Sequence, residues 1–281
     1  LAVASADDLV ANVDKVKIVV AENYGVTGGF IRYYGVAVVK NSSSIKSLKD
    51  LKGKKTCHTG VGRTAGWKIP VGYLLRTDMM PLVRNQYNSV ADFFGGSCVP
   101  GIKGKSNMEI SKKLCELCKD PTKCAIDDEY AGYDGAFNCM KDGSGEVAFV
   151  KHSTPLANVN ENDYRLLCRD GTQKEVTMYA SCFIDKRPSG AIITASGKDA
   201  STIAMYRKII KGVAIKVLID AKILGSTVLS LNETDLTTTM FLGNYLGDIR
   251  ALGKTNTSGG SSVAGWFVLQ LLAAFSFFFV F

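Results

Sequence analysis

The stretch 53–67, GKKTCHTGVGRTAGW, gathers residues able to hold an anion. A strand ending near Thr56 runs through a glycine turn into a helix starting near Ala65. Unpaired amides at a helix start attract anions, and the helix dipole adds to them. Thr59 offers a hydroxyl, and Arg63 a planar fork that matches two oxygens of one anion. The glycines fit neither nucleotide fingerprint: GVGRTAG is one residue too long for GxGxxG, and Gly53-Lys54 lacks the earlier glycine of a phosphate loop. Cys57 and His58 suggest a nucleophile and its base, but neighbours in a strand point to opposite faces. His58 and His152 are the chain's 2 histidines. With them no Ser-His-Asp order and no carboxylate pair can be assembled, so the chain reads as something other than an enzyme.

These residues need elements to position them. Residues 15–22 and 33–40 read as Val-rich strands of nearly continuous apolar character, which suits burial on both faces in a mostly parallel sheet. Residues 65–75 read as a helix with Pro70 tolerated near its start. Residues 90–94 read as the end of another helix, and 95–128 as a loop region rich in Cys, Gly and Lys. Residues 145–151 and 191–195 read as strands, 203–218 carries helical spacing, and 244–252 reads as a closing helix. Strands alternating with helices give an α/β class, and no internal repeat is visible.

The 281 residues allow one large domain or two modest ones, and 46% apolar with 21% charged residues exclude a disordered or collagen-like chain. Basic residues exceed acidic ones, 34 to 26, for a net charge of +8. The lysines are scattered and lack interleaved aromatics, so the excess reads as a solvated face around an anion-accepting cleft, with no nucleic-acid partner. The 8 cysteines are even in number. Cys115 and Cys118 have the spacing of a metal knuckle, but no second pair completes a zinc site, and disulfides in an oxidising compartment are the expected use. Sequons at Asn41, Asn232 and Asn256 agree with secretion. From Val263 to the last residue, Phe281, the chain is apolar, and no charge follows Lys254. Small residues at 256–260, a short polar spacer and this tail read as a glycolipid-anchor signal; a single-pass membrane helix is the alternative. Because the sequence opens on Leu1 with no leader, it reads as a fragment.

Five segments in order resemble the transferrin family: 33–39 (YYGVAVV), 57–67 (CHTGVGRTAGW), 132–139 (GYDGAFNC), 147–154 (VAFVKHST) and 164–168 (YRLLC). With the apolar tail, the chain is most similar to the C-terminal lobe of that family's glycolipid-anchored branch. The resemblance implies two α/β subdomains closing, like a periplasmic binding protein, on a ferric ion held by Asp, two Tyr, His and carbonate. Residues 1–33 and 188–255 would form the first subdomain, 34–187 the inserted second, and 256–281 the anchor signal. The hinge would lie at 34–38 and 188–192. Tyr33 and Tyr133 fall on the tyrosine positions, and Thr59, Arg63, Ala65 and Gly66 on the carbonate site. Phenolates suit ferric iron, a hard cation that prefers charged oxygen. The implied bridges are Cys57–Cys139, Cys98–Cys118, Cys115–Cys124 and Cys168–Cys182.

Two ligands depart from the family pattern. The histidine position, eight residues after Cys182, is Gly190, and neither His58 nor His152 lies at a ligand position. The aspartate position falls on Ser5 or Ala6, with Asp7 and Asp8 following. The resemblance therefore implies an iron transport or homeostasis protein at the outer face of the plasma membrane, with ferric ion, carbonate, the outer leaflet and a protein receptor as partners. The alternative is a lobe that has lost iron and serves as an anion- or protein-binding module.

Overall fold

The computed structural model describes residues 1–157 and 160–256. Its strands are β1 (Ala2–Ala4), β2 (Val16–Asn23), β3 (Ile31–Lys40), β4 (Thr56–His58), β5 (Ser97–Cys98) and β6 (Val147–Lys151). They continue as β7 (Tyr164–Leu167), β8 (Gln173–Lys174), β9 (Asp185–Pro188), β10 (Ala191–Ala195) and β11 (Ser230–Glu233). The helices are α1 (Ala6–Ala11), α2 (Ile69–Arg76), α3 (Gln86–Phe93), α4 (Met108–Cys115), α5 (Gly132–Lys141) and α6 (Ser153–Leu156). After β10 come α7 (Ala200–Lys211), α8 (Ile215–Asp220), α9 (Thr238–Leu242) and α10 (Asn244–Leu252).

The strands make two sheets. One runs β1-β10-β2-β11 and is antiparallel throughout. The other runs β5-β4-β6-β3-β7-β8, with β9 also paired to β3. In it β4 is parallel to β5 and β6, while β3 meets β6, β7 and β9 antiparallel. The α/β class is thus observed, but the mostly parallel sheet expected from the apolar runs is not. Residues 33–39 of β3 are all buried, and that burial wrote the apolar run, which is silent on the direction of neighbouring strands. The chain passes from the first sheet to the second between β2 and β3 and returns between β9 and β10.

Two local expectations also change. Residues 95–128 contain α4 and β5 within the expected loop. Asn107 caps α4 by accepting from the Ile110 amide, and Ile110 and Leu114 bury one face of it. The helical spacing at 203–218 is broken by Gly212, which ends α7 before α8 begins. Bridges join Cys57–Cys139, Cys98–Cys118, Cys115–Cys124 and Cys168–Cys182, so the CxxC cysteines belong to different disulfides. Among the described residues no helix is long and apolar enough to cross a membrane. The expected anchor signal and apolar tail lie outside the described residues, apart from Asn256.

Helix α10 packs against α2, and a buried carboxyl pair sits where they meet β9. Arg76 reaches Asp248 at 2.6 Å and Asp185 at 3.7 Å. The Oδ2 atoms of Asp185 and Asp248 have no hydrogen-bond partner among the described residues. Burial, followed by the Asp185 charge, pushes Asp248 up to about 8. A carboxyl raised on folding takes up a proton, so its contribution to stability is greatest in acid and is lost as pH rises through that value. Asp248→Asn is therefore expected to flatten the pH dependence of the melting temperature between about pH 5 and pH 8, read by circular dichroism. Arg76→Ala leaves buried carboxyls without a cation and is expected to cost about 3 kcal/mol in urea unfolding.

Candidate metal and anion site

The helix at the anion loop opens with one π turn, Thr64–Lys68, and continues as α2. Its first bonded amides are those of Trp67 and Lys68, both on the Arg63 carbonyl, so the amides of Thr64, Ala65 and Gly66 precede the internal ladder. Thr59 is buried, and its Oγ1 has no partner among the described residues. A methyl group built on Gly66 would collide with that oxygen and with the Thr59 amide. Only glycine lets the helix start approach Thr59 this closely. Ala65 is buried beside it. Arg63 is exposed and folds back over the loop, where a methyl on Gly60 would lie 3.3 Å from its Nε.

His58 supports this loop from beneath. It is fully buried among Trp67, Phe94 and Phe149, and its Nδ1 donates to the Gly66 carbonyl at 2.7 Å. Burial lowers it to about 4, so the ring is neutral. His152 is likewise lowered to about 4, by burial and then by Lys151, and its Nδ1 accepts from the Tyr34 amide. Both imidazoles are committed to the scaffold. The start of α5 is tied to the same loop, because the Gly132 amide donates to the Thr59 carbonyl at 2.9 Å. That bond places the next residue, Tyr133, at the loop.

Tyr33 and Tyr133 come together, close enough for each phenol to act electrostatically on the other. Burial and then the neighbouring Tyr33 push the Tyr133 phenol well above its ordinary range, although 39% of this residue remains exposed. Tyr33 is buried on β3, and strand register sets it opposite Arg187 of β9. The Arg187 guanidinium donates to Thr64 Oγ1 at the helix start, lies 5.9 Å from the Tyr33 ring centre, and pairs with Asp7 at 3.5 Å. Asp7 also receives Lys68 at 3.0 Å and the hydroxyl of buried Tyr245 at 2.8 Å. Burial opposes the Asp7 charge, but the bonds from Lys68 and Tyr245 hold its carboxyl below the usual range. Lys151 stands 5.7 Å from the Tyr33 ring centre, and Arg32 also acts on Tyr133. One carboxylate and two phenols thus lie among four cations, an electropositive setting for an anion.

Asp7 was within reach of sequence reasoning. Ser5 and Asp8 form a capping box at the start of α1, the Asp8 carboxylate accepting from Ser5. An S-x-x-D spacing signals that box, and it removes Asp8 and Ser5 from contention while leaving Asp7 to face the site. Arg187 carried no such signal, since its role depends on the β3–β9 register. At the histidine position, the Gly190 amide donates to Glu22 Oε2 at 3.0 Å, and the Tyr24 hydroxyl donates to the same oxygen at 2.6 Å. A side chain at 190 would collide with the Glu22 carboxylate.

Two sheets linked by paired crossing strands, with the 59–66 loop and the Tyr33–Tyr133 pair beside the crossing, define an α/β lobe. The Transferrin family model matches residues 7–212, and the chain belongs to the transferrin family. It is 46% identical over 189 residues to the serotransferrin of Equus caballus, covering 64% of this chain and 26% of the relative. It is 39% identical over 206 residues to the melanotransferrin of Homo sapiens, covering 66% and 27%. The structure of transferrin 1 from Manduca sexta superposes with a TM-score of 0.70 at 25% identity, covering 88% of this chain and 44% of that one. The chain thus spans about a quarter of the length of the curated relatives it matches.

The close approach at Gly66 is testable. Gly66→Ala forces Thr59 and the helix start apart, an overpacking expected to cost about 2 kcal/mol in urea unfolding and to weaken bicarbonate binding by calorimetry.

Proposed function

We propose that this lobe binds ferric iron together with carbonate between its two sheets and serves extracellular iron transport or homeostasis. The observation that carries the reading is the juxtaposition of the Tyr33 and Tyr133 phenols, with Arg187 over the Tyr33 ring and paired to the Asp7 carboxylate. Two phenolates and a carboxylate make a hard, anionic oxygen set of the kind ferric iron prefers. The unpaired Thr59 hydroxyl, the free amides of Ala65 and Gly66, and Arg63 fit carbonate, which would neutralise this corner and supply further oxygen to the metal. The lobe's own residues orient the anion and give up phenol protons. Subdomains of 1–33 with 188–255 and of 34–187, hinged at the crossing strands, provide the opening motion.

Four disulfides and the exposed Asn41, Asn232 and Asn256 support an oxidising, extracellular setting with glycan attachment. Attachment to the outer leaflet through a glycolipid, and docking to a receptor, belong to the same reading; a secreted or single-pass form is the alternative.

A second reading is favoured by Gly190, backed by Glu22, and by Arg187 inside the tyrosine cluster. It makes this a lobe without iron that acts through its anion or a protein partner. Ferric titration with bicarbonate separates the two. The first reading predicts a tyrosinate-to-iron charge-transfer band in the visible, abolished in Tyr33→Phe and Tyr133→Phe. Because binding releases phenol protons, affinity should fall about tenfold per pH unit for each proton released as the solution is acidified. No band at any iron excess sinks the first reading.

A further inference from the structure

We infer that Arg187 is a built-in cation that occupies the cargo seat of this lobe, latching it in the metal-free state and competing with the ferric ion. The inference deepens the iron reading and rests on it for its metal arm alone. Its geometry stands independently. The Arg187 side chain is 11% exposed, and its guanidinium faces groups from three separate parts of the chain: the Asp7 carboxylate of α1, Thr64 Oγ1 at the helix start, and the Tyr33 phenol of β3, with which it interacts electrostatically. It also lies 5.9 Å from the Tyr33 ring centre. Carboxylate, phenol and hydroxyl oxygens converging on one positive charge are the ligand chemistry of a hard cation, here satisfied by a planar organic one.

The seat also has no ready alternative to the guanidinium. Lys68 reaches Asp7 but has no described contact with Tyr33, and Lys151 lies over the ring of Tyr33 without an ion pair among the described residues. At Gly190 the Glu22 carboxylate lies where a Cβ would stand, so no side chain at 190 reaches the seat. A ferric ion entering between Asp7 and Tyr33 must therefore displace Arg187, and while the guanidinium stays it ties the α1 end of the molecule to the anion loop. The device sets cargo preference: small, highly charged metals can compete with a desolvated guanidinium, while singly charged ions cannot.

The test uses the full chain. Arg187→Ala opens a cavity of guanidinium shape, and methylguanidinium at low millimolar concentration should raise the melting temperature of this variant while leaving the unsubstituted protein unchanged. Arg187→Gln keeps the bulk of the side chain without its charge, and in ferric titrations against citrate it should bind iron at least tenfold tighter than the unsubstituted protein. If neither protein takes up iron while methylguanidinium still rescues Arg187→Ala, the iron reading fails and the seat for a cation stands. If methylguanidinium fails to rescue, or if both proteins take up iron and Arg187→Gln binds it no tighter, the inference is overturned. Should Arg187→Ala not fold, Arg187→Ser replaces it in the rescue arm, with the same outcomes applying.

Discussion

The antiparallel register of β3 with β9 sets Tyr33 opposite Arg187, and the site is built outward from that pair. A guanidinium that is 11% exposed must find negative or strongly polar partners, because burying an unpaired charge costs several kcal/mol. Asp7, Tyr33 and Thr64 are those partners, and they come from α1, β3 and the helix start. Satisfying one charge therefore fixes the relative positions of three distant segments. The pairing of Asp7 with Lys68 and Tyr245 extends the same network to α10.

A second, neutral scaffold holds the anion loop. His58 grips the Gly66 carbonyl from below, and the Gly132 amide grips the Thr59 carbonyl from the side. The Cys57–Cys139 bridge ties β4 to α5 behind them. The helix start, ahead of its first internal bonds, is thereby held close to the buried Thr59 hydroxyl, which has no partner among the described residues. Burial keeps both imidazoles neutral, so they add rigidity without competing for the anion.

Much of this was legible in the sequence. The strand–turn–helix at 53–67 and the strand at 191–195 follow from glycine placement and apolar runs; both are observed, although β4 begins at Thr56, where the expected strand ended. Sheet direction was not legible, because a run buried on both faces looks alike in parallel and antiparallel settings. The helix α4 was hidden by the cysteines around it, although Asn107 and the Ile110–Leu114 spacing signal it. Within the site, Asp7 is recoverable once Asp8 is recognised as a cap. Arg187 and Glu22 are not, since their roles arise from pairing across some 150 residues of chain, Tyr33 with Arg187 and Glu22 with Gly190.

The central claim is that the proposed ferric site is an all-oxygen one, with both histidines committed to the scaffold. X-ray absorption at the iron edge, on the chain loaded with ferric iron and bicarbonate, tests it most directly. The account predicts a first shell of oxygen alone, without the outer-shell pattern of an imidazole ring. A clear imidazole signature, or iron lost on desalting in the presence of bicarbonate, would contradict it.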